Sequence, residues 1–247
     1  MAMKNFVCMK WGTLYDAGYV NKLYAMVKRN VTGAFRFVCL TDDSNGINPA
    51  VECLDCPSVS LPPPWNNTGW RKVALWSEQL PGMQGDWLFL DLDVVITGSL
   101  DAFFQHEPDK SFVVMQNWTQ PGQGIGNTSV YRFTVGRHPY LLSGMLEDFM
   151  SVVKRYRNEQ TFVSRVISEI AFWPDEWCIL FKIQCVPPMP ARWWKAPVLP
   201  TGARIVAFPG LPNPGDAAAG IWPEKKFYKR LYKHIRPAAW IAKHWRE

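Results

Sequence analysis

Ten residues restrict the fold of this chain more than any others: Trp87-Leu-Phe-Leu-Asp-Leu-Asp-Val-Val-Ile96, an almost unbroken apolar run that holds two acids, Asp91 and Asp93. Such a run predicts a buried strand at its centre. Residues i and i+2 of an extended segment project to the same side, so both carboxylates are expected to face one way while Leu92 faces the protein. At the carboxyl end of a central strand, that side is the crevice where open α/β sheets bind ligands. Adjacent carboxylates repel one another, and a hard divalent cation, Mg2+ or Mn2+, removes the repulsion by taking oxygen ligands from both while keeping positions open for phosphate oxygens. A bare Asp-x-Asp recurs by chance, and two solvated turn-forming acids are the alternative. The apolar embedding favours an acid pair with a partner.

The surrounding pattern predicts one α/β domain. Asn5–Met9 and Phe35–Leu40 read as buried parallel strands, and Val20, Leu23, Tyr24 and Val27 give helical spacing over 17–30 between them. A Pro-rich stretch, 61–65, leads to a helix expected over 70–80. Strands are expected at 111–115 and 129–133, and helices at 139–157 and 159–171, with Pro139 near an N1 position. Pro and Gly crowd 186–215, which predicts irregular loops over a site. Gly122-Gln-Gly-Ile-Gly126 follows a polar loop rather than a strand and lacks the spacing of a nucleotide fingerprint, so a flexible loop is expected there.

The chain's formal charge of +6 is unevenly placed. Eight basic residues of the last 23 (Lys225, Lys226, Lys229, Arg230, Lys233, Arg236, Lys243 and Arg246) face one acid, Glu247, and the rest of the chain is close to neutral. A neutral body argues against nucleic acid, which needs a positive docking surface. The start of the sequence has no secretory core, and no apolar run is long enough to span a bilayer, so a cytoplasmic location is expected. Six cysteines without zinc-ribbon spacing read as reduced.

The segment Phe89-Leu-Asp-Leu-Asp-Val-Val-Ile-Thr-Gly-Ser-Leu-Asp-Ala-Phe-Phe104 resembles the Asp-x-Asp block of GT-A glycosyltransferases, especially the bacterial family 8-like enzymes. The resemblance extends to Lys10-Trp-Gly-Thr-Leu-Tyr15, Trp70-Arg-Lys72, Asn127-Thr-Ser-Val130, Asn158-Glu-Gln160 and Trp173-Pro-Asp-Glu-Trp177. It implies a mixed, mostly parallel GT-A (Rossmann-like) sheet flanked by helices. It also implies transfer of a sugar from a nucleotide-sugar donor, a UDP-sugar by preference, to a glycan or lipid-linked acceptor, with retention of configuration. On that basis Asp91 and Asp93 hold Mn2+ or Mg2+ against the donor diphosphate. Lys10, Trp11 and Tyr15 line the nucleotide pocket, Arg71 and Lys72 lie beside the phosphates, and Glu159 and Gln160 face the sugar. Trp173, Trp177, Trp193 and Trp194 are candidates for acceptor contacts.

One departure stands out. Where the family pattern has a late His-x-Gly and then Lys-Pro, this chain has Phe208-Pro-Gly210 and Leu211-Pro-Asn-Pro214, which puts Pro209 in place of the His and Asn213 in place of the Lys. The metal is then held by carboxylates, phosphates and water, or His244 fills in, or the protein is a degenerate nucleotide-sugar binder. The boundary expected is a catalytic domain over 1–220 and a tail over 221–247. In the tail, Phe227, Leu231 and Ile235 form the apolar stripe of a basic amphipathic helix. That helix either packs on the body or anchors the protein on an anionic membrane surface, at the inner face. A non-enzymatic protein acting at that surface is the remaining alternative.

Overall fold

The computed structural model describes residues 3–226, 228–229 and 232–247. It opens with the expected unit: β1 (Lys4–Lys10), α1 (Ala17–Asn30) and β2 (Phe35–Thr41), the strands in parallel register from Lys4 opposite Phe35 to Lys10 opposite Thr41. Asp16 caps α1 by accepting from the Tyr19 N–H, and Val20, Leu23, Met26 and Val27 bury its inner face. Lys28 and Arg29 in the last turn complement the helix dipole.

The chain continues through β3 (Glu52–Asp55), a 3₁₀ helix (Gly69–Trp76), β4 (Asp86–Leu90), β5 (Val94–Ile96), β6 (Phe112–Gln116) and β7 (Gly126–Thr134). After these come α2 (Tyr140–Glu147), α3 (Phe149–Arg155), α4 (Glu159–Val166), β8 (Ala171–Phe172), β9 (Cys178–Leu180), β10 (Ile205–Ala207), α5 (Pro214–Ala219) and α6 (Ala239–His244). Seven strands form the main sheet in the order β3-β2-β1-β4-β7-β6-β8, parallel except where β7 runs against β4 and β6. A smaller sheet has the order β5-β10-β9. The main sheet is covered on both faces. β1 sends Phe6 and Cys8 into one core and Val7 and Met9 into the other, and β4 divides Leu88 and Leu90 from Trp87 and Phe89 in the same way.

Three expectations are corrected. The apolar run 87–96 is two strands in two sheets, because β5 leaves the main sheet to pair antiparallel with β10. The helix expected over 139–157 breaks at Asp148, whose non-helical backbone and side-chain bond to the Ser151 N–H start α3 afresh. The helix expected over 159–171 stops at Val166, where the chain turns extended so that Ala171 and Phe172 can join β6. The segment 186–215 is mostly irregular but also supplies β10. At Gly126 the absence of a side chain is required, since a Cβ would sit 2.4 Å from Val114 Cγ1. All six cysteines are free.

In the tail, Phe227 and Leu231 of the expected stripe, and Arg230 beside them, lie outside the described residues. Lys225, Lys226 and Lys233 lie in bends, and the described α-helix of the tail is α6. Ile235, Ala238 and Ile241 are buried in the same core as α5, and Arg29 donates to the backbone carbonyls of His244 and Arg246. No helix among the described residues is long and apolar enough to cross a membrane.

Candidate active site

β1 and β4 are parallel neighbours, so their carboxyl ends open side by side. A cleft of about 480 Å3 lies there. One wall is the loop after β1, from Trp11 to Tyr15; the other is 67–69 with Lys72; the floor is Asp91-Leu92-Asp93. The acid pair is therefore in the cleft as expected, but through a turn rather than an extended strand. The Asp91 N–H still bonds the Ser129 carbonyl at 2.9 Å, extending the β4–β7 ladder, and Leu92 and Asp93 then turn the chain into β5.

Each acid has a different partner. Lys72 Nζ lies 3.3 Å from Asp91 Oδ1 and 3.4 Å from Glu159 Oε1, and donates to the Thr128 carbonyl at 3.0 Å. The Thr128 hydroxyl donates in turn to Glu159 Oε1. Burial works against the Lys72 ammonium, but the two carboxylates outweigh it and its pKa is raised. Asp93 instead accepts from the Tyr15 hydroxyl at 2.9 Å. Its pKa is pushed up to about 7, first by burial and then by the Asp91 charge, against the opposing effects of Tyr15 and Lys72. Burial and the Asp93 charge raise the Tyr15 pKa as well.

The other predicted residues divide. Trp11 lines the cleft, and the Arg71 guanidinium lies 5.8 Å from its ring centre, at the edge of an adjoining open depression formed with Thr41, Asp42 and Asp55. Lys10 is buried and turns its ammonium to the Asp43 carbonyl, 2.9 Å away. Glu159 is buried in the first turn of α4, behind Lys72, with the half-buried Gln160 next to it. Trp173 is 2% exposed and Trp177 is packed with it against Phe103, so Trp173 has no face to offer a sugar and its candidacy for acceptor contact is corrected. Trp193 and Trp194 are exposed, the former stacked on His234 at 4.8 Å.

The late segment departs from expectation in a specific way. His244 does not join the acids: the charges acting on its ring are those of Lys243, Arg29 and Arg246, and burial together with these cations lowers its pKa. Among the described residues no three His, Cys, Asp or Glu gather as a metal-holding group. Asn213 caps α5 in a capping box with Asp216. Pro209 presents its carbonyl to Lys182 Nζ at 2.5 Å. Burial and Lys233 lower the Lys182 pKa, and Asp93 acts the other way. Thr128 falls in the Asn127–Val130 segment of the resemblance, which assigns it no role, and Lys182 lies outside every resembling segment. Lys182 did carry a signal, a lone cation in the apolar run Ile179-Leu-Phe-Lys-Ile183, of the same kind that marked Asp91 and Asp93.

No protein-family model and no curated protein sequence matches the chain. Solved structures do share its fold. The galactosyltransferase LgtC, crystallised with donor and acceptor sugar analogues, superposes with a TM-score of 0.61 at 13% identity, covering 97% of this chain and 99% of LgtC. The glycosyltransferase GlyE of Streptococcus pneumoniae TIGR4 gives 0.57 at 12% identity, over 85% of this chain and 56% of GlyE. The bifunctional glycosyltransferase WbbM gives 0.56 at 12% identity, over 86% of this chain and 46% of WbbM. The mixed, mostly parallel sheet flanked by helices is the GT-A glycosyltransferase fold.

Proposed function

We propose that the chain is a family 8-like glycosyltransferase that moves a sugar from a nucleotide-sugar donor, a UDP-sugar by preference, to a glycan or lipid-linked acceptor with retention of configuration. One observation carries the reading: Asp91 and Asp93 share a cleft at the carboxyl ends of parallel strands, with a buried Lys72 bridging Asp91 to Glu159. The donor set fits a divalent cation. Asp91 is part exposed to the cleft, burial and the Asp91 charge push the Asp93 pKa up to about 7, a repulsion that a cation would relieve, and neither carboxylate is closed off by an Arg fork. Asp91 and Asp93 would hold Mn2+ or Mg2+, which would supply positive charge against a leaving diphosphate without proton transfer. Trp11 and Tyr15 bound the nucleotide side of the cleft, with Arg71 next to Trp11. Lys72 and Thr128 fix the Glu159 carboxylate on the sugar side.

The test is release of nucleoside diphosphate from a panel of UDP- and GDP-sugars with Mn2+. Turnover that disappears in Asp93→Asn supports the proposal. Absence of turnover and of Mn2+-dependent UDP binding, with Asp93→Asn changing nothing, overturns it. Mn2+-dependent UDP binding without turnover favours the degenerate binder, for which Pro209 and Asn213 are the motive.

The segment that carries Trp193 and Trp194 also has a surface suited to anionic lipid. Met189, Trp193, Trp194, Val198, Tyr228 and Tyr232 are exposed, with Arg192, Lys195, Lys225 and Lys226 close by in sequence. Interfacial aromatics beside cations are the composition of a peripheral membrane contact. Peripheral attachment at the inner face would bring a lipid-linked acceptor to the cleft.

A further inference from the structure

The three strands of the smaller sheet end together. Val94 opposes Ala207, and Ala207 opposes Leu180, so Asp93, Phe208 and Phe181 each lie one residue beyond the same rung. The Phe208 N–H bonds the Asp93 carbonyl at 3.1 Å, and the Phe181 ring stacks on the Phe208 ring with centres 4.6 Å apart. The chain then leaves β9 through one π-helical turn, Phe181–Cys185, pinned by Gln184 Oε1 accepting from the Leu180 N–H at 2.9 Å. Such turns are rare and are frequent at functional sites.

This turn carries Lys182. Its ammonium donates to the Pro209 carbonyl, lies 3.8 Å from where a Cβ on Gly210 would be, and stands within the field of Asp93. Among the described residues it has no ion pair, whereas Lys72 is already matched by Asp91 and Glu159 and Lys233 by Glu224. A half-buried ammonium whose hydrogen-bond partner is a neutral carbonyl keeps its charge for an anion, and ammonium groups serve phosphate as point charges.

We infer that Lys182 binds the diphosphate of the nucleotide donor, as a protein cation standing at the Asp93 corner of the cleft. The inference rests on the nucleotide-sugar reading above and extends it to a residue outside the resembling motifs. Asn213 is spent on capping α5 and Pro209 has no side-chain donor, so Lys182 is the cation at the end of the smaller sheet, next to the rung beyond which Asp93 lies.

Calorimetric titration of the purified chain with UDP, GDP, uridine and guanosine, each with Mn2+ and again with EDTA, tests this. The wild type should bind one nucleoside diphosphate more tightly than the matching nucleoside. Lys182→Met should weaken the diphosphate by about tenfold or more, the scale of one charge-assisted hydrogen bond, and leave the nucleoside unchanged. Lys182→Arg should retain most of the affinity. Equal diphosphate binding by wild type and Lys182→Met overturns the inference and leaves the proposed function standing, and equal loss for nucleoside and diphosphate makes Lys182 structural and overturns it too. A wild type that binds neither diphosphate overturns both.

Discussion

Lys72 Nζ sits 3.3 Å from Asp91 and 3.4 Å from Glu159, so a single ammonium ties the floor of the cleft to the first turn of α4. The side chain is buried, and removing it strands two carboxylates that have lost their counter-charge. Lys72→Met is expected to cost about 3–5 kcal/mol in urea unfolding, the scale for breaking a buried pair from one side. A cost below about 1 kcal/mol would mean that water replaces the ammonium and that the network is not a structural tie.

Asp93 gives a pH signature. Its pKa rises from 3.8 in the unfolded chain to about 7 in the folded one, so the folded state holds the proton over that interval and the unfolded state releases it. The group's contribution to stability is fully present below about pH 4, declines as pH rises, and is lost above about pH 7. Asp93→Asn, which cannot ionise, should be more stable than wild type at pH 8 by ~1–3 kcal/mol and closely matched to it at pH 4. Denaturant unfolding at both pH values checks this, and a difference that does not change with pH contradicts the assignment.

The two kinds of Trp should behave differently. Trp173, enclosed by Phe103 and Trp177, should cost about 3–5 kcal/mol when replaced by Ala. Trp194, 62% exposed, should cost no more than about 0.5 kcal/mol. If Trp173→Ala folds as stably as wild type and instead weakens acceptor binding, its placement in the core is wrong.

The surface around Trp193 and Trp194 predicts salt-sensitive binding to vesicles that contain anionic lipid. Co-sedimentation should fall steeply as salt rises, and it should drop when Trp194 and Lys195 are both replaced by Ser. Equal binding to neutral and anionic vesicles would rule out the electrostatic part of the attachment.

The front of the fold was legible because β1, α1 and β2 each carry a full-length period: two apolar runs and one 3.6-residue repeat. The break at Asp91–Asp93 was not. An apolar run of ten residues has no mark that says which sheet each half will join, and here the answer depends on β10, more than a hundred residues later. β9 and β10 have three residues each, too short for any period to show. The acid pair itself was legible because charge inside an apolar run demands a partner. The same reasoning applies to Lys182, a lone cation in its own apolar run. Trp173 and Trp194 look alike in sequence, and only their partners separate a core ring from a surface one.

If Asp91 and Asp93 form the donor site of a sugar-transferring enzyme, loss of Asp93 must suppress release of the leaving nucleotide. Release of nucleoside diphosphate from UDP- and GDP-sugars, measured with Mn2+ for wild type and for Asp93→Asn, tests it most directly. The wild type should release nucleoside diphosphate, and Asp93→Asn should lose at least about a hundredfold, the scale of removing one electrostatic contact to the leaving group. Release at the same rate by both proteins, or by neither together with no Mn2+-dependent UDP binding, would contradict it.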